Sequence, residues 1–400
     1  MFSSTFLEAA RISSKHFTRQ RTLTLPTIVS FLLSGVQGAV QSELDQFFAH
    51  LRNRANSVRE VTAQAFYQAR YRINALVFGE LNQELIRLVG EHLPIPRWRG
   101  LRLVAADGSA VRLTLMKDGV RSIVQGVAFG LYLPGIELFL DFRLFEPLCD
   151  ERQMLFEAID HLRPDDVLLL DRGFPCRWLV SALTARGIPF CIRCDLSRGF
   201  KAVREFMRSG QSETRVVLRA PDARDAADYE CPATPTTVRL VRVVTPTGRV
   251  HVVMTSLFDP VAFPVAAFAD LYHGRWRIEE AFKRIKSRLG LEHTSGLSWH
   301  AAHQDFGAKA VFDNLNALAA YVASDALIDP DSPYKINRTL AIDKIKRQIG
   351  RWLLTAAATP RRLKPLLEEL ALNLQKLVPH RSRPRKPQPK PHRSDAYKPT

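Results

Sequence analysis

The sequence Val167-Leu-Leu-Leu-Asp-Arg-Gly-Phe174 contains a short, uninterrupted apolar run that ends in an aspartate, Asp171. Consecutive large apolar residues suit a strand that is buried on both faces, as in a sheet covered by helices. A helical pattern precedes the run at 152–162, and another follows at 177–186, before the next apolar run at 188–193. Strands and helices therefore alternate here, which predicts an α/β domain.

Three further strands are predicted upstream of this run. Residues 101–106 are mostly apolar and end in Asp107-Gly108, while 123–133 and 136–145 flank Pro134-Gly135, a dipeptide typical of a hairpin turn. In the second hairpin arm every other residue is apolar, which indicates a strand with one buried face. The order of three strands, helix, strand, helix, strand predicts a mixed sheet.

The charge of the chain favours a polyanionic partner. The 400 residues include 57 Lys and Arg against 40 Asp and Glu, a net charge of +17. Residues 376–400 hold eight Lys or Arg and one Asp, so this tail supplies +7 and the rest of the chain still carries +10. Nucleic acid is the commonest partner of so basic a protein. A hydrophobic share of 46% excludes a wholly disordered chain.

Cysteine use and apolar runs indicate the compartment. Five cysteines, an odd number scattered over a long chain, argue against a disulfide framework and for a reducing environment. No run of eighteen uninterrupted apolar residues exists, and the N-terminus lacks the pattern of a secretory signal. We therefore expect a cytoplasmic protein without a membrane span.

The pair Cys191-x2-Cys194 has the spacing of half a zinc site. No second cysteine pair and no suitably spaced histidine pair accompanies it. The pair is predicted to lie within an apolar strand, where alternate residues face opposite ways. The sequence therefore favours buried thiols over a metal site.

Two aspartates stand where apolar strands are predicted to end. At that position a side chain leaves the core and enters the crevice at the carboxyl edge of a sheet. Each aspartate also has a purely structural explanation, because Asp107-Gly108 is a common turn dipeptide and Asp171 could cap the helix that follows Pro175. Position alone does not decide between a functional and a structural role for either aspartate.

A third carboxylate lies in the segment 271–289, Leu-Tyr-His-Gly-Arg-Trp-Arg-Ile-Glu-Glu-Ala-Phe-Lys-Arg-Ile-Lys-Ser-Arg-Leu. If this segment is one helix, with about 100° between residues, then Tyr272, Arg275, Glu279 and Lys286 fall within an arc of about 60°. An ordinary solvated face with an i,i+4 ion pair explains the charges but not their shared edge. The adjoining positions are apolar and are predicted to pack on the sheet: Ile278, Phe282, Ile285 and Leu289.

Together, Asp107, Asp171 within Asp-Arg-Gly-Phe, and Tyr272-x2-Arg275-x3-Glu279-x6-Lys286 resemble the DDE transposases of bacterial insertion sequences. The spacing matches the group with the Y-R-E-K signature, the insertion-sequence-4 type. The segment Tyr334-Lys-Ile-Asn-Arg-Thr-Leu-Ala341 looks like the C-terminal helical segment of that group, and the resemblance covers roughly residues 25–355. It implies an RNase H-like core with a mixed sheet, a β-rich insertion before the last catalytic helix, and helical N- and C-terminal regions.

The domain organisation expected from the patterns and the resemblance has six parts. The polar and then β-rich insertion is expected to pack beside the first sheet. The tail alternates Pro with Lys or Arg and has almost nothing to bury, which predicts disorder. In chain order the parts are a helical DNA-binding domain at 1–95, the first part of the core at 96–195, the insertion at 196–262, the catalytic helix at 263–300, C-terminal helices at 301–375, and the basic tail at 376–400.

The resemblance implies that Asp107, Asp171 and Glu279 are the catalytic residues and hold metal ions. Three ionised carboxylates repel one another, since a pair about 4 Å apart costs on the order of 4 kcal/mol at an effective dielectric constant of 20. Cations would relieve this repulsion, and oxygen ligands favour Mg²⁺, with Mn²⁺ as a possible substitute. Two such ions would promote attack, first by water and then by the freed 3′-hydroxyl, on a phosphodiester.

The same resemblance implies that Tyr272, Arg275 and Lys286 bind DNA. The side chains of Arg275 and Lys286 would hold substrate phosphates, and Tyr272 would donate its hydroxyl to a backbone phosphate. The expected partners are the element ends and the target DNA, and a homodimer is expected in the DNA complex, with one contact through the apolar C-terminal helices. No membrane partner is expected, and the protein would associate with the bacterial nucleoid when it is bound to DNA.

One departure from the group concerns base flipping. In relatives a tryptophan of the insertion stacks on a flipped base, whereas none of the five tryptophans here lies within 195–270. Tyr229 or Phe258 could substitute. Two alternative functions also stay open: a metal-dependent nuclease that hydrolyses DNA without joining it, and a non-catalytic DNA-binding regulator derived from a transposase.

Overall fold

The computed structural model describes residues 2–19, 21–147, 149–195, 199–244, 248–329, 332–355 and 359–376. The predicted basic tail therefore lies outside the described residues, except for Lys376. The chain divides into two compact units. Unit 1 comprises Met1–Ile86, Ala110–Gly126 and Lys283–Thr400, and unit 2 comprises Arg87–Ser109 and Val127–Phe282.

Helices and strands of the described ranges are numbered in chain order. The helices are α1 (Ser4–Ala9), α2 (Leu25–Leu33), α3 (Val40–Leu51), α4 (Ala63–Arg70), α5 (Val77–His92), α6 (Glu151–Glu157), α7 (Arg177–Ala185), α8 (Lys201–Ser209), α9 (Ala223–Asp228), α10 (Ala267–His273), α11 (Trp276–Arg288), α12 (Trp299–Leu327), α13 (Arg338–Leu354) and α14 (Pro360–Leu372), with a 3-10 turn at Ile159–His161. The strands are β1 (Arg97–Trp98), β2 (Leu101–Lys117), β3 (Val120–Leu133), β4 (Leu138–Phe145), β5 (Asp166–Leu170), β6 (Phe190–Arg193), β7 (Glu213–Leu218), β8 (Thr236–Val244), β9 (Val250–Thr255), β10 (Tyr334–Ile336) and β11 (Leu374–Lys376).

A mixed sheet forms the centre of unit 2. Its strand order is β4-β3-β2-β5-β6-β9-β8-β7, and β1 pairs with β2 outside this path. The hairpin partners β3 and β4 are antiparallel, whereas β2, β5 and β6 are parallel, with Arg102 opposite Asp166 and Leu168 opposite Phe190. The five strands β4-β3-β2-β5-β6 therefore have the mixed order of an RNase H-like core. The predicted fold class is confirmed.

Strand β5 shows why the apolar run predicts a central strand. All five of its residues are buried, and Val167 to Leu170 have no exposed surface. Both of its neighbours in the sheet are parallel strands, which are joined to it through crossovers rather than hairpins. The run therefore lies in the middle of the sheet with both faces covered.

The insertion differs from its predicted arrangement. Strands β7, β8 and β9 do not form a layer beside the first sheet, because β9 pairs antiparallel with β6 and extends the same sheet. In this pairing Cys191 lies opposite Thr255. The backbone groups along the edge of β6 would otherwise lack partners, and β9 supplies them. Helix α8 precedes the strands of the insertion, and α9 lies between β7 and β8.

Helices dominate unit 1. Helix α2 begins after Thr24, whose hydroxyl accepts a hydrogen bond from the Thr27 amide, and eight of its nine residues are buried. It packs against α12 and α13, so helices from the N- and C-terminal ends of the sequence share one core. The predicted domain boundaries remain a prediction, and the compact units follow a different division of the chain.

The segment 334–341 differs from a purely helical one. It begins with strand β10, which pairs antiparallel with β11, and becomes helix α13 only after Asn337. The Asn337 side chain accepts a hydrogen bond from the Thr339 amide and so caps the helix. In the described part of the chain, no helix combines the length and the apolar character needed to cross a membrane.

Candidate active site

Two of the predicted carboxylates lie on neighbouring strands of unit 2. Asp171 directly follows β5, and Asp107 lies within β2, which pairs with β5 in parallel up to Ala105 opposite Leu169. Continuing that register brings Asp107 beside Asp171. The Asp171 Oδ1 also accepts a hydrogen bond of 2.7 Å from the Arg172 amide. Crevice-facing side chains at the ends of parallel strands converge in this way.

The structural explanations for these aspartates do not hold, and one prediction about them is wrong. Asp107 does not close its strand, because β2 continues through it to Lys117, and Asp107-Gly108 is therefore not a turn. Asp171 does not cap the following helix. Helix α7 begins at Arg177 after Cys176, whose side chain makes no capping hydrogen bond.

The signature segment is not a single helix. Helices α10 and α11 are separated at Gly274 and Arg275, where tighter i−3 hydrogen bonds connect the Gly274 amide to the Leu271 carbonyl and the Arg275 amide to the Tyr272 carbonyl. Glycine is a poor helix former, and a Cβ here would lie 3.5 Å from the Leu103 side chain. The helix is therefore interrupted at a glycine, and the backbone of this glycine lies close to the sheet.

The apolar stripe of this segment packs as predicted. Phe282 of α11 is 2% exposed, and its ring centroid lies 5.6 Å from that of Phe139 on β4. Ile278 has no exposed surface. This packing fixes the start of α11 against the sheet and thereby fixes the side chains on its neighbouring edge.

Tyr272 and Arg275 link the three carboxylates. The Tyr272 hydroxyl donates a hydrogen bond of 3.2 Å to Asp171 Oδ1. The Arg275 guanidinium donates through Nη2 to Glu279 Oε1 at 2.8 Å, and its Nη1 lies 3.9 Å from Asp107 Oδ2. Segments that are far apart in sequence are thus connected in unit 2 around one guanidinium that is only 1% exposed.

The electrostatics of the cluster are dominated by negative charge. Burial raises the pKa of Asp107 to about 7, Arg275 opposes this rise, and the nearby carboxylates of Glu151, Glu279 and Asp171 add to it. Burial lowers the pKa of Arg275, but its anionic neighbours outweigh burial, and the guanidinium stays charged. The described cluster therefore holds more carboxylates than cations, an arrangement that a further cation would stabilise.

Glu151 is a member of this cluster that no sequence pattern predicted. It is the first residue of α6, directly after Asp150, the residue that caps this helix. An acidic residue in the first turn of a helix is common for reasons of helix stability alone. No spacing signal distinguishes Glu151 from such residues, so only the fold reveals its position.

Lys286 lies in unit 1, toward the end of α11. Its ammonium group donates a hydrogen bond to the Ala110 carbonyl. Burial lowers the pKa of Lys286, while the nearby Glu292 acts in the opposite direction. The contact with DNA phosphate expected for Lys286 stays a prediction.

A basic cleft of about 430 Å³ lies next to Asp171 in unit 2. One of its arginines, Arg193, places Nη1 3.7 Å from Asp171 Oδ1. Three separate segments supply its basic residues, so no linear motif predicted it. The cleft is lined by Arg172, Arg193, Cys194, Asp195, Arg249, Val250 and His251.

The other residues singled out in the sequence have structural surroundings of their own. Cys191 and Cys194 are both buried, and burial raises the pKa of both thiols. The ring of Tyr229 stacks on Trp178, with centroids 3.5 Å apart. The Phe258 ring faces the guanidinium of Arg215 at 5.4 Å. One face of each candidate stacking residue is therefore already in contact.

The donor set of the cluster suits a hard divalent ion. Asp107, Asp171, Glu279 and Glu151 offer only carboxylate oxygens, the ligands that Mg²⁺ and Mn²⁺ prefer. Among the described residues, no three acidic, histidine or cysteine side chains are arranged to hold one ion. The chemistry of the donors therefore fits a metal ion, while Glu279 is engaged by Arg275.

The chain is similar in sequence to known transposases. Residues 135–314 match the model of the family described as Transposase DDE domain. The transposase InsG for insertion sequence element IS4 of Escherichia coli (strain K12) is 25% identical over a match that covers 57% of this chain and 54% of the relative. The predicted resemblance to DDE transposases of the insertion-sequence-4 type is confirmed. The chain spans about half the length of the curated relative that it matches.

A solved structure, a cryo-EM structure of a piggyBac transposase synaptic complex with hairpin DNA, resembles the chain at a TM-score of 0.45 and 10% identity. The match covers 95% of this chain and 85% of that one. The range matched by the DDE domain family includes Asp171 and Glu279, whereas Asp107 precedes it.

Proposed function

We propose that the chain is a DNA transposase that cleaves the ends of an insertion sequence and joins the resulting 3′-hydroxyl ends to target DNA. The observation that carries this proposal is the linkage of Asp107, Asp171 and Glu279 through Tyr272 and Arg275. Two further observations support the same conclusion. Asp107 and Asp171 lie on neighbouring strands of an RNase H-like sheet, and the chain matches the model of the transposase DDE domain.

The three carboxylates would hold divalent ions, Mg²⁺ or Mn²⁺. When bound, the ions would supply activation of the attacking oxygen and stabilisation of the leaving 3′-oxygen. Tyr272 orients Asp171 by donating to Oδ1, and Arg275 orients Glu279. Nε and Nη1 of Arg275 are buried without a hydrogen-bond acceptor among the described residues. A phosphate oxygen of the DNA would supply one.

The basic cleft supports DNA as the substrate. Arg172, Arg193 and Arg249 meet beside Asp171, where the backbone of a bound strand would pass. Arginine suits this role because its planar fork can pair with phosphate oxygens through two hydrogen bonds. The net charge of +17 would draw DNA to the protein from a distance. Lys286 is proposed to add a further phosphate contact.

A joining assay tests the proposal. The full chain is incubated with Mg²⁺, a supercoiled target plasmid and DNA that carries the sequences flanking its own gene, and joined products are scored. A transposase produces joined molecules that are cut at the element ends. Hydrolysis without joining would instead assign a nuclease, and binding without cleavage would assign a DNA-binding regulator.

We also propose that two copies assemble on the DNA ends, because two ends must be joined in concert. Leu366 and Leu370 of the C-terminal helices are buried within unit 1, so they are not available to a second copy. A contact through these helices would use the partly exposed Trp352 and Leu367 instead. Light scattering of the complex with end DNA should report a dimer, and a cleaving monomer on one end would contradict this assembly.

A further inference from the structure

Glu151 lies between the two segments that carry the catalytic aspartates. A Cβ built on Gly108, the residue after Asp107, would lie 3.0 Å from Cδ of Glu151 and 3.1 Å from its Cγ, and nearer still to Oε1. A Cβ built on Gly173, two residues after Asp171, would lie 3.9 Å from Oε2. The Glu151 carboxylate therefore fills space that a side chain at position 108 would occupy.

The charges around Glu151 are negative. Burial raises the pKa of Glu151, and the nearby Asp150 and Asp171 raise it further. The adjacent Arg152 does not neutralise it, because its guanidinium donates to Asp150 Oδ1 and Oδ2 at 3.0 and 2.6 Å. Within the ranges that the structure describes, no hydrogen bond or ion pair reaches the Glu151 carboxylate. A half-buried carboxylate in such surroundings is stabilised by a bound cation or by uptake of a proton.

Arg275 independently indicates that an anionic group, such as a phosphate, enters this cluster, since its unsatisfied groups are donors. Its side chain is 1% exposed, yet its Nε and Nη1 lack hydrogen-bond acceptors among the described residues. Buried donors are normally satisfied, and exceptions mark functional sites or places where a partner is missing. Nη1 is directed toward the carboxylates, since it lies 3.9 Å from Asp107 Oδ2.

We propose that Glu151 supplies a fourth carboxylate to the divalent-cation site, next to Asp107 and Asp171. This inference rests on the function proposed above and extends its site beyond the three residues of the signature. Gly108 is part of the same arrangement, because a side chain at this position would displace the Glu151 carboxylate from the place it occupies.

Binding of Mn²⁺ to the full chain, without DNA, tests the proposal by the electron paramagnetic resonance signal of the free ion. Glu151→Gln keeps the shape of the side chain but removes its charge, and it should weaken Mn²⁺ binding about tenfold or more, the size of effect seen when partners of a metal site are removed. Gly108→Ala should weaken binding in the same direction, because the new methyl group displaces a flexible carboxylate without altering the core.

Two controls make the outcome specific. Glu157→Gln makes the same chemical change at the other end of α6, and it should leave Mn²⁺ binding unchanged. Glu157 is exposed there, pairs with Arg143 at 3.7 Å and accepts a hydrogen bond of 3.4 Å from the Gln153 side-chain amide. Asp107→Asn tests the underlying site. If Asp107→Asn weakens binding but the correctly folded Glu151→Gln variant binds like the wild type, the role of Glu151 is refuted. If neither variant affects binding, the metal site of the proposed function is refuted as well.

Discussion

Arg70 is a buried arginine of unit 1, and its charged guanidinium needs several hydrogen-bond acceptors. Its guanidinium is 1% exposed and donates to Asp305 Oδ1 at 2.9 Å, to Ser295 Oγ at 2.6 Å and to Gln304 Oε1 at 2.9 Å. The Ala301 carbonyl accepts a further bond of 3.0 Å from Nη2. Such a network stabilises the fold as a whole, because removal of Arg70 takes a donor away from the buried Gln304 Oε1 and Asp305 Oδ1.

Replacing Arg70 by Met should therefore lower the free energy of unfolding by about 3–5 kcal/mol. The loss arises mainly because the buried Asp305 loses its arginine partner and keeps the weaker compensation from Ser295 and Lys309. Urea unfolding followed by circular dichroism measures the change. Arg347→Met is the matched control, since Arg347 forms an exposed pair with Asp343 in the same unit and should cost less than about 1 kcal/mol. Equal losses in both variants would contradict this account of the network.

At the scale of elements, helix α12 is unusual because its buried face carries polar groups. Lys309, near its middle, is 2% exposed and donates to the carbonyls of Gly290 and His293 at 2.8 and 2.6 Å. Burial lowers the pKa of Lys309 from 10.5 to about 8, with Asp305 acting against this shift. The helix therefore ties the loop before it by hydrogen bonds from a lysine that burial makes easier to deprotonate.

This lowered pKa gives a definite pH dependence. Below about pH 8 Lys309 is protonated in the folded and unfolded states alike, whereas between about pH 8 and 10.5 the unfolded state holds more protons. The contribution of Lys309 to stability therefore rises with pH across this window, by on the order of 3 kcal/mol at most. The unfolding free energy of the wild type minus that of Lys309→Met should increase between about pH 7.5 and about pH 10. A constant or falling difference would contradict the burial of a charged lysine.

The sequence predicted those elements whose pattern of apolar and turn residues directly reflects their burial or their chain reversal. The apolar run at Val167–Leu170 identified a central strand, and the turn at Pro134-Gly135 correctly joined two antiparallel strands. The end of β2 was not predictable, because a turn dipeptide at Asp107-Gly108 can also lie within a strand. Local sequence expresses propensity, whereas pairing with a neighbouring strand depends on residues far away.

The residues of the candidate site that form a spaced motif were predictable, whereas those that meet only through the fold were not. The spacing of the signature identified Tyr272, Arg275 and Glu279, whose connection to the aspartates the structure describes. Gly274, where the helix is interrupted, lies against the sheet, and the position of Glu151 depends on the packing of α6 beside Gly108. Neither contact leaves a trace in residue spacing.

For the whole molecule, the distribution of charge predicts how DNA binding depends on salt. Residues 377–400 carry seven Lys or Arg and one Asp and lie beyond the last described strand. Their deletion should leave folding and cleavage intact and make the slope of log K against log[salt] shallower by up to several units, since fewer counterions are released from DNA. Fluorescence anisotropy at several salt concentrations measures this slope, and an unchanged slope would exclude the tail from DNA binding.

The central claim is that Asp107, Asp171 and Glu279 act together in DNA cleavage and joining. The most direct measurement supplies pre-cut ends with a free 3′-hydroxyl, Mg²⁺ and a target plasmid to the variants Asp107→Asn, Asp171→Asn and Glu279→Gln, and quantifies joined product and end binding in parallel. Each variant removes one negative ligand without changing side-chain size, so joining should disappear while DNA binding persists. Asp270→Asn, an exposed change on helix α10, should join ends like the wild type. Joining that survives in any of the three carboxylate variants would contradict the claim.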